Sequence, residues 1–143
     1  MIFGNNMQKD VCVVILTHLD KLSGDDEKSF LRALKIFTKR DIKLVLPNSV
    51  NKSYYEQFKE DVEIVCVNDE WMSSYKNYNR MCCNKDFYNL FSDYDYILIY
   101  QTDCWVFEDR LDEFINLGYD WYGAAWPLEG DKVGNGGFSL RKV

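Results

Sequence analysis

The sequence lacks both a membrane-spanning apolar run and an excess of positive charge. Its longest apolar run near the start, Val11 to Leu16, has six residues, whereas a spanning helix needs roughly 20. No basic region precedes this run and no small-residue cleavage site follows it, so it does not resemble a secretory signal. The formal net charge of -6 is a poor match for nucleic acid. We therefore expect a cytoplasmic protein with no membrane span and no nucleic-acid partner.

The sequence is also poor in the patterns that build zinc sites. His18 is the single histidine, and none of the five cysteines forms a C-x-x-C pair. The ligand spacing of a structural zinc site is therefore absent. The cysteine count is odd, and Cys12, Cys66 and Cys104 lie in or beside apolar runs. We expect them to be reduced thiols that behave as small hydrophobic residues.

The size and composition predict one ordinary domain. The chain has 143 residues, of which 47% are hydrophobic and 16% aromatic, which is enough to build a core. No internal repeat or low-complexity stretch interrupts it. We expect residues 1–10 to form a flexible leader and residues 11–143 to form a single domain.

Short apolar runs alternate with segments of helical periodicity. The predicted strands lie at 11–16, 42–46, 62–67, 96–100, 121–126 and 137–140. The predicted helices lie at 25–38, at 54–58, at 73–91 with a break near Asn84, and after Asp109, with Leu111, Phe114 and Ile115 facing inward. This alternation predicts an α/β fold with a mainly parallel sheet and flanking helices. Ligands of such sheets bind beyond the carboxyl ends of the strands.

Polar residues follow two of these predicted strands at the carboxyl end. Asp103 follows the strand at 96–100, and a carboxylate there must be solvated, hydrogen-bonded or bound to a metal. One acid satisfies a Mg²⁺ or Mn²⁺ ion that takes its other ligands from water and phosphate; the alternative is an acid that begins a turn. Gln101 and Thr102 flank it, and Gln101 is suited to a sugar or ribose hydroxyl. Thr17 and His18 follow the first strand and could contact a nucleotide, or they are polar loop residues.

A glycine-rich segment near the C-terminus is the second candidate. Gly136 and Gly137 would let a ligand approach the backbone closely, while Asn135 and Ser139 could bind sugar hydroxyls; the alternative is an ordinary turn. The spacing fits neither a P-loop nor the dinucleotide-binding G-x-G-x-x-G. Trp126 follows small residues and could be a floor for a stacked sugar ring, or a core tryptophan.

These motifs carry a resemblance to a known family. Residues 94–107, 119–124 and 134–141, which include the sequences YQTD and NGGFSLR, resemble a glycosyltransferase-like family of formerly unassigned function, of the GT-A type, found in polysaccharide-building contexts. The resemblance covers the chain after Val11. It implies a Rossmann-like core that binds a nucleotide-sugar donor, with a divalent cation, Mn²⁺ or Mg²⁺, at Asp103. It also implies that Asn135, Gly136, Gly137 and Ser139 border the donor sugar.

The resemblance predicts a transferase that moves a sugar from a nucleoside diphosphate to a glycan hydroxyl. Two departures leave an alternative open: Gln101 stands where such enzymes have the first acid of a D-x-D motif, and those enzymes usually continue past this length. The alternative is a non-catalytic or truncated donor-binding module that works with another subunit, and homo-oligomerisation is also open. A nucleotidyltransferase would need a second acid near Asp103 for a two-metal site, and the sequence shows none beside it.

Overall fold

The computed structural model describes residues 9–125 and 133–143, although the side chains of Lys9 and Val133 are outside the description. The described elements, in chain order, are β1 (Lys9–Leu16), α1 (Gly24–Ile36), β2 (Asp41–Pro47), β3 (Glu63–Val67), α2 (Tyr75–Met81), α3 (Lys85–Asn89), β4 (Tyr94–Gln101), α4 (Leu111–Ile115), β5 (Trp121–Ala125) and β6 (Val133–Lys142). Two 3₁₀ helices, Lys52–Phe58 and Asp69–Met72, flank β3. Within these residues, no helix has the length and apolarity that crossing a bilayer would demand.

The strands form one mixed sheet with the order β3-β2-β1-β4-β6-β5. The β3-β2, β2-β1 and β1-β4 pairings are parallel, whereas β6 is antiparallel to both β4 and β5. The α/β class is therefore confirmed, but the expectation of a mainly parallel sheet is wrong. The reason is chain length: a parallel neighbour needs a crossover of roughly a dozen residues or more, and only residues 126–132 separate β5 from β6.

Both faces of the sheet are covered, which explains why β1 is apolar at every position. Val11, Val13 and Ile15 pack on the side of α1, together with Phe30 and Phe37. The intervening residues of β1 pack on the opposite side against α2, α3 and the turn after α3; this second cluster includes Cys12, Val14, Leu16, Met81, Phe87 and Phe91. A strand in the middle of such a three-layer arrangement has no polar face. The core thus holds β1 and β4 rigidly at the centre of the sheet.

One local prediction is confirmed, and two strand boundaries differ slightly from the predicted ones. The helical stretch at 73–91 is broken where expected, because Asn84 caps α3 by accepting a hydrogen bond from the Asp86 N–H at 2.9 Å. The first strand begins at Lys9, two residues inside the predicted leader, whose residues 1–8 lie outside the described part of the chain. The strand at 42–46 continues through Pro47, one residue further than predicted.

Two predicted core residues are on the surface instead. Phe114 is 44% exposed because α4, which carries it, has only five residues. The Phe114 ring packs edge-on against the ring of Tyr122 at the rim of the sheet. Cys66 is exposed because it lies in β3, which is the edge strand of the sheet and is mostly exposed or half-buried. An edge strand has a neighbour on one side only, and apolar composition alone does not reveal which strand that will be.

We predict that the link between the turn after α1 and the segment before α4 depends on Asp109. Its carboxylate accepts from Arg40 Nε at 2.7 Å and from the Leu111 N–H at 3.1 Å, and both side chains of the ion pair are mostly buried. Asp109→Ala should lower the free energy of unfolding by about 2 kcal/mol, because both donors lose a charged acceptor. Urea denaturation measures this change. Asp112→Ala, which removes the exposed partner of Arg40, is the control and should cost no more than about 0.5 kcal/mol; equal losses would contradict the assignment.

Candidate functional site

The strand order reverses between β1 and β4. The chain runs outward from β1 to β2 and β3, and then returns to place β4 on the other side of β1. The register pairs Leu16 with Gln101, so the two strands end side by side. Loops that leave neighbouring parallel strands in opposite directions open a crevice at this edge, and that is where α/β proteins bind ligands. The residues after β1 and after β4 meet there.

A cavity of about 600 Å³ occupies this crevice. It brings together five of the residues predicted from the sequence to bind a donor: Thr17, His18, Gln101, Thr102 and Asp103. Eight further residues that the sequence analysis did not select also line it: Leu16, Leu19, Asp26, Met72, Ser73, Ser74, Tyr75 and Tyr78. The cavity therefore has a polar wall from the two strand ends and a wall from the segment that leads into α2.

The wall beyond β1 is a tight turn. Thr17 is 7% exposed, and its hydroxyl oxygen accepts a hydrogen bond from the Leu19 N–H at 3.2 Å. The Thr17 N–H continues the sheet ladder to the Val45 carbonyl at 3.3 Å. These bonds leave Thr17 as a structural element of the wall and leave His18, which is exposed, as the side chain available to a ligand.

The wall beyond β4 is tied to the first turn of α1. The hydroxyl of Thr102 donates to the Asp26 carboxylate, and both residues also line a smaller neighbouring cavity of about 360 Å³ together with Asp103. Asp26 is a second acid at the site, 77 positions before Asp103 in the chain. Its position in a run of acidic residues after Ser23 is typical of a helix N-terminus, so nothing in the sequence marks it as a site residue.

Asp103 presents an exposed carboxylate to the cavity. Its contact within the described residues is the Cys104 thiol, whose Sγ lies 3.7 Å from Oδ1. Among residues 9–125 and 133–143, no group of three or more His, Cys, Asp or Glu side chains could hold a metal. The donor set therefore does not fit an all-protein metal cage. It fits Mg²⁺ or Mn²⁺ held through Asp103 with phosphate and water supplying the other ligands, which is how Mg²⁺ is usually bound.

Gly137 of β6 makes room for Gln101. A Cβ atom at Gly137 would lie 2.5 Å from Gln101 Oε1, so the Gln101 side chain would have to move if position 137 carried a side chain. The Gly137 N–H donates to Asn135 Oδ1 at 3.0 Å, and its carbonyl oxygen lies 3.6 Å from the Cys104 Sγ. The sequence predicts that a ligand approaches the backbone closely at Gly137. In the structure, the group that approaches it is the Gln101 side chain, which packs against the β6 backbone and borders the cavity.

Ser139 and Arg141 form a network behind the cavity wall. Ser139 is 1% exposed; its hydroxyl donates to the Gly136 carbonyl at 3.0 Å and accepts from Arg141 Nε at 2.9 Å. Arg141 Nη1 then donates to the Cys82 carbonyl at 3.2 Å and to Tyr88 Oη at 2.9 Å. The network joins β6 to the α2–α3 junction. None of Asn135, Gly136, Gly137 and Ser139 is among the residues that line the main cavity, and their contacts with a donor sugar stay predictions.

Tyr78 of α2 has an unusual hydroxyl. Its oxygen is buried and makes no hydrogen bond of normal geometry with any described residue. Burial raises the pKa of Tyr78, and the nearby Gln101 amide acts in the opposite direction. A buried hydroxyl without a partner costs roughly 1–3 kcal/mol. Tyr78 lies in the helical stretch predicted at 73–91, and no pattern in the sequence distinguishes this hydroxyl from any other.

The predicted sugar-stacking residue, Trp126, lies outside the described residues, and its role stays a prediction. Within the described part of the chain, three aromatic side chains line the two cavities: Tyr75, Tyr78 and Trp105. Tyr75 is 82% exposed at the cavity, whereas Trp105 is half-exposed with the Arg32 guanidinium 5.7 Å above its ring. Either exposed ring offers an apolar surface to a flat or cyclic ligand.

We predict that the Asp103 carboxylate suppresses the reactivity of Cys104. Burial, followed by the neighbouring Asp103 charge, raises the pKa of Cys104 to about 11. The thiolate is the reactive form, so removal of the negative charge should lower this pKa and increase the rate of alkylation at pH 8–9 by about threefold to tenfold. Mass spectrometry of iodoacetamide-labelled Asp103→Asn measures the rate. Asp93→Asn, at the opposite end of β4, should leave the alkylation rate of Cys104 unchanged. An unaltered rate in Asp103→Asn would contradict an effect of the Asp103 charge on Cys104.

Comparison with known proteins adds a family to this geometry. Among proteins with curated descriptions, none matches the sequence. A family model described as "Protein of unknown function (DUF5672)" matches residues 61–143, which is more than half of the chain. The matched region includes the wall beyond β4 and all of β6, but not the turn after β1. The chain therefore belongs to the DUF5672 family.

Proposed function

We propose that this protein is a glycosyltransferase that moves a sugar from a nucleoside diphosphate to a glycan hydroxyl. The observation that carries this proposal is the single cavity at the strand-order reversal, where Thr17 and His18 face Thr102 and Asp103. We further propose that the mixed sheet is the Rossmann-like core of a GT-A type transferase. The ordered motifs from Tyr94 onward support both statements. We also propose a cytoplasmic location, which rests on the sequence alone.

The size and chemistry of the cavity suit such a donor. Ligand cavities usually measure about 300–1,000 Å³, and this one measures about 600 Å³. Leu16, Met72 and Tyr75 provide apolar surface for a base, while the hydroxyl, imidazole and carboxylate groups of the lining suit a ribose and a cation-bound diphosphate. No strongly basic wall is present among the lining residues, so binding of a diphosphate requires another source of positive charge.

A divalent cation at Asp103 would supply that charge. When bound, Mn²⁺ or Mg²⁺ neutralises the negative charge that develops on the leaving diphosphate. In the transfer itself, the bond between the anomeric carbon and the diphosphate oxygen breaks, and the nucleoside diphosphate leaves with the bonding electrons. A bond to the acceptor oxygen forms, and the acceptor releases its hydroxyl proton to water. Asp103 would hold the cation at the diphosphate end of the donor. Asp26 fixes the Thr102 hydroxyl beside it, so that the loop after β4 keeps one conformation.

A second candidate function is donor binding without transfer, in concert with another subunit. The observation that favours it is Gln101, a neutral amide packed against Gly137 at the position where a second acid would strengthen cation binding. The two functions differ in turnover. Release of free sugar from a bound donor by the isolated chain, abolished by Asp103→Asn, would favour the transferase and exclude a purely non-catalytic module.

The proposed function predicts cation-dependent binding of a sugar nucleotide. Calorimetric titration of UDP- and GDP-sugars in the presence of MnCl₂ should show binding of one of them to the wild-type protein, and EDTA should abolish it. Asp103→Asn should weaken this binding by at least about tenfold, because a charged ligand of the cation is replaced by a neutral one.

Asp93→Asn is the matched control for this titration. It removes the same charge from the exposed residue just before β4, at the opposite end of that strand. Its affinity should equal that of the wild-type protein. Binding that is insensitive to both EDTA and Asp103→Asn would overturn the cation role, and no binding of either sugar nucleotide would overturn the proposed function.

A further inference from the structure

The buried hydroxyl of Tyr78 is the least explained polar group at the site. Tyrosine hydroxyls that leave water nearly always find a partner, because the lost hydrogen bonds to water are costly. The described polar neighbours that act on the Tyr78 hydroxyl are Cys82, Gln101 and Arg141. A thiol is a weak hydrogen-bonding group, and Arg141 donates to Ser139, Tyr88 and backbone carbonyls. Gln101 is therefore the natural partner.

Gln101 is placed so that its amide can reach both Tyr78 and a ligand. Its side chain lines the cavity, and its Oε1 is turned toward Gly137, in the space that a Cβ atom would otherwise fill. The carbonyl end of the amide is thus directed at β6, and the NH₂ end remains for other contacts. That NH₂ group carries two N–H donors that point in different directions, so it can serve two acceptors at once.

We propose that Tyr78 is a positioning residue: when a nucleoside diphosphate fills the cavity, one N–H of Gln101 donates to Tyr78 Oη and the other donates to an oxygen of the ligand. The phenolic oxygen holds the amide in the orientation that presents a donor to the cavity. Gly137 leaves room for the opposite end of the amide in this orientation. Gln101 then acts as a hydrogen-bond donor to the ligand, while the cation depends on Asp103.

This inference deepens the proposed function, on which it rests, and it explains why a glutamine can stand beside Asp103. A carboxylate at position 101 would strengthen cation binding, but it could only accept hydrogen bonds. An amide NH₂ attracts the diphosphate oxygens without a charge. The bond between Gln101 and Tyr78 would also give the buried Tyr78 hydroxyl a hydrogen bond of normal geometry.

A double-mutant cycle tests the inference. The affinity for Mn²⁺ with UDP and for Mn²⁺ with GDP is measured by calorimetry for the wild type, Tyr78→Phe, Gln101→Met and the double variant. Tyr78→Phe should raise the Kd by about fivefold to tenfold, as expected for the loss of one hydrogen bond. If Tyr78 acts through Gln101, it should have no further effect in the Gln101→Met background, since coupled residues are not additive.

Thermal unfolding separates positioning from structural damage. Tyr78→Phe removes a hydroxyl without a partner in the free protein and should leave the Tm unchanged or raise it. Tyr94→Phe is the control, because its hydroxyl donates to the Asp41 carboxylate at 2.8 Å, at the end of β4 away from the cavity. It should lower the Tm and leave the Kd unchanged. A structural role for Tyr78 would instead lower the Tm and the affinity together.

The outcomes distinguish this inference from the proposed function. If the wild type binds UDP or GDP and Tyr78→Phe binds equally well, the role of Tyr78 is overturned and the proposed function stands. A loss of affinity that persists in the Gln101→Met background also overturns it. If the wild type binds neither nucleotide, both proposals fail.

Discussion

The parallel pairing of β1 with β4 is the constraint on which the candidate site depends. The register that sets Leu16 beside Gln101 brings two polar segments, separated by more than 80 residues, to the same edge of the sheet. Both strands are buried on both faces, so a slip of one residue would turn core side chains to the wrong face. The packing that stabilises the centre of the sheet therefore also sets the positions of Thr17 and Asp103 relative to each other.

The antiparallel strand β6 completes the site from the other side of β4. Its Gly137 has no side chain and so accommodates Gln101, while Arg141 anchors the strand to the α2–α3 junction through neutral acceptors. The residues of this segment thus divide into two kinds of role. Gly137 leaves space for the Gln101 side chain, which lines the cavity, whereas Ser139 and Arg141 tie β6 to the α2–α3 junction.

Sequence patterns predicted the regular elements well, because strands and helices depend mainly on local periodicity and capping. The break at Asn84 is an example: its side chain caps the helix that follows it. The patterns were less informative about the surface. Phe114 and Cys66 have apolar character and yet are exposed, since their burial depends on which strands end up at the rim of the sheet.

The sequence by itself determined the α/β class, because strands buried on both faces appear as continuous apolar runs. It also determined the polar residues after β1 and β4, because the end of each strand appears as a change from apolar to polar residues. Only the tertiary structure decided that β6 runs antiparallel, that Asp26 from α1 joins Asp103, and that Tyr78 lies buried beside Gln101. Those features arise from contacts between residues far apart in the chain. Such contacts depend on strand order and packing, which no local pattern encodes.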